Sequence, residues 1–186
     1  AYFHSDAVVD EHSHARFSAQ YVRADRGVPG SLSFPSAEAR QTDDGVNLSA
    51  TYGTFVGRGF EFSLKSGFHY NFETYNDPNP VFPVNSVYRN TYFTANPQAS
   101  FNVTPEYRMI LGGEFAVGKL SGNDFDAEVR RSQLSIYWSN EVQWASDRSV
   151  FDRVILFGTA RYDDISDVDR ALSPKIGVNI RAFQTG

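Results

Sequence analysis

Phe60-Glu61-Phe62-Ser63-Leu64-Lys65-Ser66-Gly67-Phe68-His69-Tyr70-Asn71-Phe72-Glu73-Thr74-Tyr75 alternates apolar and polar side chains almost without a break. Phe60, Phe62, Leu64, Phe68, Tyr70 and Phe72 fall on one face, and Glu61, Ser63, Lys65, His69, Asn71 and Glu73 on the other. A period of two is the signature of an extended strand with one face in an apolar medium. The run is far longer than the roughly 5 to 6 residues of an ordinary globular strand. It is ample for a tilted transmembrane strand, which needs roughly 9 to 11. The stretch reads as one strand of an outer-membrane β-barrel, and the chain as all-β.

Composition is consistent with that reading. Tyr and Phe are abundant (10 and 16), Cys is absent, the net charge is -5 and the mean hydropathy is -0.40. No window holds the roughly 18 apolar residues a transmembrane helix requires. A barrel needs no such window, because only alternate residues meet lipid. The acidic balance argues against a nucleic-acid partner, and without Cys there is neither a disulfide framework nor a thiolate zinc site. At the ends, Ala1-Tyr2-Phe3-His4 carries no signal-peptide pattern, and Gln184-Thr185-Gly186 follows a strand without the aromatic residue on which bacterial barrels usually close. Residues 1–186 therefore read as a single segment of a longer barrel.

Working outward from Phe60, the same alternation predicts about eight antiparallel strands. They run over His14 to Ala24, Val46 to Thr54, Phe60 to Tyr75, Val87 to Val103, Tyr107 to Val117, Gln133 to Trp144, Val154 to Tyr162, and a last one carrying Ile176, Val178, Ile180 and Ala182. Pro97 cannot donate to a ladder, so a bulge or local break is expected there. The connections predicted at 25–44, 76–86, 120–126 and 163–172 are long, and the turns near 57, 105 and 148 are short. Outer-membrane barrels keep short turns on the periplasmic side and longer loops outside, which orients the sheet. Tyr75, Tyr88, Tyr107, Trp144 and Tyr162, near strand ends, are candidates for the aromatic girdles. A soluble β-sandwich is the competing reading, since alternating strands with polar connections also describe it.

Arg161-Tyr162-Asp163-Asp164, followed after a short acidic segment by Ala171-Leu172-Ser173-Pro174-Lys175-Ile176-Gly177-Val178, resembles the barrel of TonB-dependent outer-membrane receptors. Arg26-Gly27-Val28-Pro29-Gly30, Phe34-Pro35, Ala39-Arg40-Gln41 and Asp43 resemble loops in the vitamin B12 (cobalamin) receptor-like branch. The resemblance implies a barrel of about 22 strands with a plugged lumen, of which this chain is a sector lacking the plug domain and the terminal strands. It also implies energy-dependent uptake of a large scarce nutrient, cobalamin or a metal chelate such as a siderophore. The partners it implies are the TonB complex, acting through the plug, and outer-membrane lipid.

Extracellular loops and the strand ends beneath them are where such a ligand would be met. The candidates are Arg26, Ser31, Phe34, Arg40 and Gln41, followed by Asn76, Asp77, Asn85 and Tyr88; as turn formers some of them shape loops instead. Asp163, Asp164, Asp167 and Asp169 offer oxygen ligands for a structural calcium ion, although an acidic loop is ordinarily just solvated. Lumen charges such as Lys65, Glu73, Arg108, Glu114, Arg130 and Glu141 are expected to satisfy one another or hold a plug. His4, His12 and His14 cluster near the start and suggest a metal site, but two lie outside the predicted strands, and such spacing near a terminus is more often incidental. His69 beside Glu73 lacks an oriented nucleophile, so the chain reads as non-enzymatic. A self-contained eight-stranded barrel, acting as an adhesin, structural anchor or passive porin, is the alternative function.

Overall fold

The computed structural model describes residues 1–31, 34–57, 59–145 and 151–182. Its strands are β1 (Tyr2–Asp10), β2 (Ser13–Gly27), β3 (Gly30–Ser31), β4 (Phe34–Pro35), β5 (Arg40–Val56), β6 (Phe60–Asp77), β7 (Val84–Asn102), β8 (Tyr107–Gly122), β9 (Val129–Ala145), β10 (Phe151–Ile165) and β11 (Val168–Ala182). Nine of them form one antiparallel sheet in the order β1-β2-β5-β6-β7-β8-β9-β10-β11, and β3 and β4 make a small hairpin of their own. Each long strand thus pairs with its sequence neighbours. The sheet is open, with β1 and β11 at its edges.

The count is nine long strands rather than eight. The added one is β1, whose Tyr2-Phe3-His4-Ser5-Asp6-Ala7-Val8-Val9 mixes polar and apolar residues on both faces. Its pairing with β2, from Tyr2↔Gln20 to Val8↔His14, is what makes it a strand. Strands also run further than predicted at the long-connection end. β2 and β5 stay paired out to Gly27↔Arg40, and β6 and β7 to Asp77↔Val84. The connections there shrink to residues 28–39, 78–83 and 123–128, and the expected loop at 163–172 is a tight hairpin with only Ser166 and Asp167 between β10 and β11. The long-short alternation therefore holds over the first half of the sheet and fails at β10–β11. At the other end, Gly57 takes a φ of 64°, a left-handed conformation that glycine adopts without strain. The Thr104 hydroxyl accepts from the Glu106 and Tyr107 amides at 3.2 and 3.1 Å and closes the turn at Pro105. The expected turn at 147–149, Arg58 and the final Gln184-Thr185-Gly186 lie outside the described residues.

Pro97 breaks one ladder and leaves the other whole. Toward β6 the register runs through Leu64↔Pro97 without interruption. Toward β8 it passes from Ala95↔Phe115 to Gln98↔Gly112, skipping Asn96 and Pro97 with no change of register. The missing amide costs a local gap and no bulge.

The register brings the apolar sets of the separate strands onto a single face. Phe68 lies in one row with Leu48, Ala19 and Phe3 on one side and with Phe93 and Val117 on the other. Among the described residues nothing covers that face: Leu111, Ile136, Trp138, Trp144 and Ile176 are all exposed, and Ala39 and Ala116 are the only apolar residues of that set that are buried. The accessible surface is 13116 Å², against about 8,900 Å² for a compact monomer of this mass. A β-sandwich would bury this face beneath a second sheet; the structure is a single layer.

The apolar band crosses the strands obliquely. At the long-connection end its limit is marked by the first charged residues on the apolar face. Arg23, Asp44 and Arg89 share a row with Phe72; Lys119 and Arg130 share one with Tyr70; Asp164 shares one with Ser66. The limit is level from β2 to β7 and falls six residues from β7 to β10, an average of about one residue per strand from β2 to β10. The opposite limit follows, from Val56 and Phe60 on β5 and β6 to Trp144, Val154 and Ile180 on β9 to β11. With strands about 4.8 Å apart and about 3.3 Å per residue, that slope is about 35°. Tyr107, Trp144 and Tyr162 lie at the band's margins, whereas Tyr75 and Tyr88 fall on the polar face and belong to no girdle on this one.

Candidate functional site

The other face is polar and laced with cross-strand hydrogen bonds. Its densest knot is centred on Arg161 of β10. The guanidinium donates to Glu114 at 2.9 Å, to Asp163 at 2.9 Å and to the Ser135 hydroxyl at 3.0 Å, while Ser135 in turn donates to Asp163. A second knot joins Arg108, Ser100 and Glu61, with Arg108 donating to Ser100 at 3.1 Å and lying 3.5 Å from Glu61. Further along, Tyr137 donates to Gln98 at 2.9 Å, and the Asn47 amide bridges Gln20 and His69. The expectation that charges on this face satisfy one another holds for Arg108 and Glu114. Arg130 is a correction: register puts it on the apolar face, where it pairs with Glu128 at the band's limit. Lys65 has no carboxylate partner among the described residues and borders a shallow polar hollow with Ser63, Asn96, Gln98, Glu114 and Tyr137.

Replacing Arg161 with Met would leave Glu114 and Asp163 without their shared cation. The expected cost is about 1–2 kcal/mol, at the low end for charged hydrogen bonds because the group is partly solvated, read from urea unfolding. Glu114→Gln, which keeps an acceptor, is expected to cost less.

A second regularity on this face has no counterpart in the strand-by-strand reading. Gly53, Gly112, Gly118, Gly122 and Gly177 each lie directly opposite an aromatic ring in the register, His14, Tyr137, Tyr92, Tyr88 and Phe157 respectively. In each case a Cβ on the glycine would meet that ring, at 2.1 Å for Gly112 and Tyr137 and 2.2 Å for Gly177 and Phe157. Each ring thus occupies the space that a side chain on the opposite glycine would need, covering bare backbone.

The predicted ligand residues collect at the long-connection end but on both faces. Arg26, Gln41, Asp77 and Tyr88 are on the polar face. There Arg26 pairs with Asp43 at 3.0 Å, Gln41 donates to the same carboxylate at 3.2 Å, and buried Asp77 accepts from the Asn79 amide. Tyr88 donates to Asp124 and packs its ring edge-on against Phe125. The Ser86 and Tyr88 hydroxyls hold the Asp124 carboxyl below the usual carboxylate range. Arg40, Asn76 and Asn85 share the apolar-face side of the sheet beyond the band, where Arg40 pairs with Asp25 at 2.8 Å. Arg26, Arg40, Gln41, Asn76, Asp77, Asn85 and Tyr88 are strand residues rather than loop residues. Ser31 and Phe34 are backbone partners in the β3–β4 hairpin, and their side chains lie outside the described residues.

The four aspartates proposed for calcium are not brought together. Asp163 and Asp164, adjacent on β10, point to opposite faces, the first into the Arg161 knot and the second to Arg170 at 3.1 Å; Asp167 is in the hairpin turn and Asp169 on β11. Nor do His4, His12 and His14 converge. His4 bonds Asp6, His12 is in the β1–β2 turn and His14 covers Gly53. No group of three metal-ligating side chains occurs among the described residues. His69 bonds Asn47, while Glu73 lies opposite Asp43 and Tyr88. No protein-family model matches the chain, and no curated protein matches it in sequence.

Proposed function

We propose that the sheet is an arc of a large transmembrane β-barrel in the bacterial outer membrane, with the apolar face toward lipid and the polar face lining a wide lumen. The observation that carries this reading is the oblique apolar band on an uncovered single layer. If the band lies in the membrane plane, its slope tilts the strands by about 35°, within the range of about 35–45° for such barrels. On β7 to β11 the band spans nine to eleven residues, from Phe93–Phe101 through Leu134–Trp144 to Leu172–Ile180, which is the length that crosses about 30 Å of hydrocarbon at that tilt. Nine strands without closure exceed the eight with which the smallest barrels close around a packed interior. The polar face, hydrogen-bonded within itself, suits an open lumen.

Within that architecture, the receptor passages on β10, β11 and around the β2–β5 connection support TonB-coupled uptake of a large scarce nutrient, cobalamin or a metal chelate. Ligand capture falls to the polar-face end of β2, β5, β6 and β7, at Arg26, Gln41, Asp77 and Tyr88.

Because the chain has no Cys, single cysteines test the architecture directly. In intact cells a membrane-impermeant maleimide is expected to label Asp126→Cys, to label Glu106→Cys only after the outer membrane is opened, and to leave Ile136→Cys unlabelled. Labelling of Ile136→Cys in native membranes overturns the lipid assignment. For transport, deleting the gene is expected to abolish protonophore-sensitive uptake of labelled cyanocobalamin or a ferric chelate; unchanged uptake of both overturns the receptor reading.

A further inference from the structure

Just beyond the apolar band, three consecutive strands carry cations on the lipid-side face at the long-connection end: Arg89 on β7, Lys119 on β8 and Arg130 on β9. Lys119 and Arg130 are direct register partners, and Arg89 lies diagonal to Lys119, opposite Ser121. Diagonal neighbours are about 7–8 Å apart, within reach of long side chains. Like charges placed directly opposite are unfavourable, and one carboxylate, Glu128, bridges Lys119 and Arg130. Those two cations hold Glu128 below the usual carboxylate range. Arg89 has no carboxylate partner among the described residues; its guanidinium lies over the Phe72 ring, 5.4 Å from the centroid. Three cations against one carboxylate leave this patch positive on a chain whose net charge is -5. At the opposite limit of the band, the same face carries no Lys or Arg among the described residues.

We infer that Arg89, Lys119 and Arg130 form a docking patch for the phosphate of an anionic lipid headgroup in the leaflet at the long-connection end. The inference rests on the membrane reading above and deepens it. The next layer outward from hydrocarbon is the headgroup zone, so cations one or two same-face positions past the band lie at phosphate depth. A guanidinium takes two phosphate oxygens in a fork, and an ammonium adds a point charge. Arg89 is poised for this role, since the Phe72 ring supports its guanidinium while no carboxylate among the described residues pairs with it. Glu128 keeps Lys119 and Arg130 together when no lipid is bound. The position just outside an apolar band favours a lipid, which presents its phosphate at that depth.

The test is flotation of the refolded chain with phosphatidylcholine vesicles, with and without a fraction of phosphatidic acid. Binding to neutral vesicles is expected, and anionic lipid is expected to strengthen it. Arg89→Gln and Lys119→Gln should each lower the anionic-lipid preference about fivefold, as removal of one juxtamembrane charge does. Arg89→Lys should restore most of the loss. Lys175→Gln, on the polar face over Phe157, should change nothing. Equal binding to neutral and anionic vesicles overturns the lipid patch while leaving the membrane reading intact. A preference that survives Arg89→Gln combined with Lys119→Gln overturns it as well. Failure to float with either vesicle overturns both.

Discussion

If the apolar face meets lipid as proposed, Leu64→Arg is expected to destabilise the chain folded in phospholipid by about 2–4 kcal/mol, the cost of a cation near the midplane on the lipid face of a barrel. On β6 the apolar band runs from Phe60 to Phe72, and Leu64 lies well inside it, in a row with Tyr52 and Pro97. Ser63→Arg, one residue away, is expected to change stability by less than about 0.5 kcal/mol, because Ser63 faces the polar hollow between Gly53 and Gln98. Urea titration in vesicles, followed by the heat-modifiable gel mobility of folded barrels, measures both. Equal losses would remove the face assignment. A large Leu64→Arg effect that persists for the chain in water would point to cover by protein rather than lipid.

Gly112→Val should cost about 1–3 kcal/mol, the range for inserting methyl groups where no room exists. Its Cβ would meet the Tyr137 ring at 2.1 Å. Swinging the ring away relieves the clash but breaks the 2.9 Å bond to Gln98 and uncovers the backbone. Gly158→Ala is the matched control. It lies on the apolar side of β10 with nothing within 4 Å of its would-be Cβ, and is expected to gain about 0.5–1 kcal/mol, since glycine weakens a strand interior. Combining Gly112→Val with Tyr137→Ser should recover part of the loss, because the two residues touch and their effects are not independent. Strict additivity would show that the ring does not rest on the glycine.

Most of the strand pattern was legible residue by residue. Phe60 to Tyr75 and Gln133 to Trp144 announce themselves because the pleat sends successive side chains to opposite faces, and a medium that accepts only apolar groups on one face leaves a period of two. The turns at Gly57 and Thr104-Pro105-Glu106 were equally local, since left-handed φ and hydroxyl-to-amide bonds are chosen by the residues themselves. What misled was polarity near strand ends. Asp163 to Ile165, Val168 to Arg170 and Arg40 to Asp44 have the composition of loops, yet pair as strands because neighbouring strands offer partners for their amides, which outweighs intrinsic propensity. β1 was missed for the converse reason: its residues show no clean alternation, and β2 supplies the order.

The candidate site divides in the same way. That polar residues near the connections would collect at one end was readable from strand order. Which of them share a face was not: Arg26, Gln41, Asp77 and Tyr88 are together, and Arg40, Asn76 and Asn85 are opposite them. The Arg161 knot joins β8, β9 and β10, and no signal within a single strand announces it.

From its sequence alone, this protein was determined to be an all-β chain of long antiparallel strands, each with one apolar and one polar side. Alternation is a property of neighbouring residues and of the geometry of the extended backbone, so it is written locally. Only the tertiary structure decided that these faces coincide in one uncovered layer, that the apolar band descends by an average of about one residue per strand, that five glycines lie under aromatic rings, and that Arg89, Lys119 and Arg130 meet at its edge. Each of these depends on register, and register is a relation between strands, set by which amide pairs with which carbonyl across the sheet.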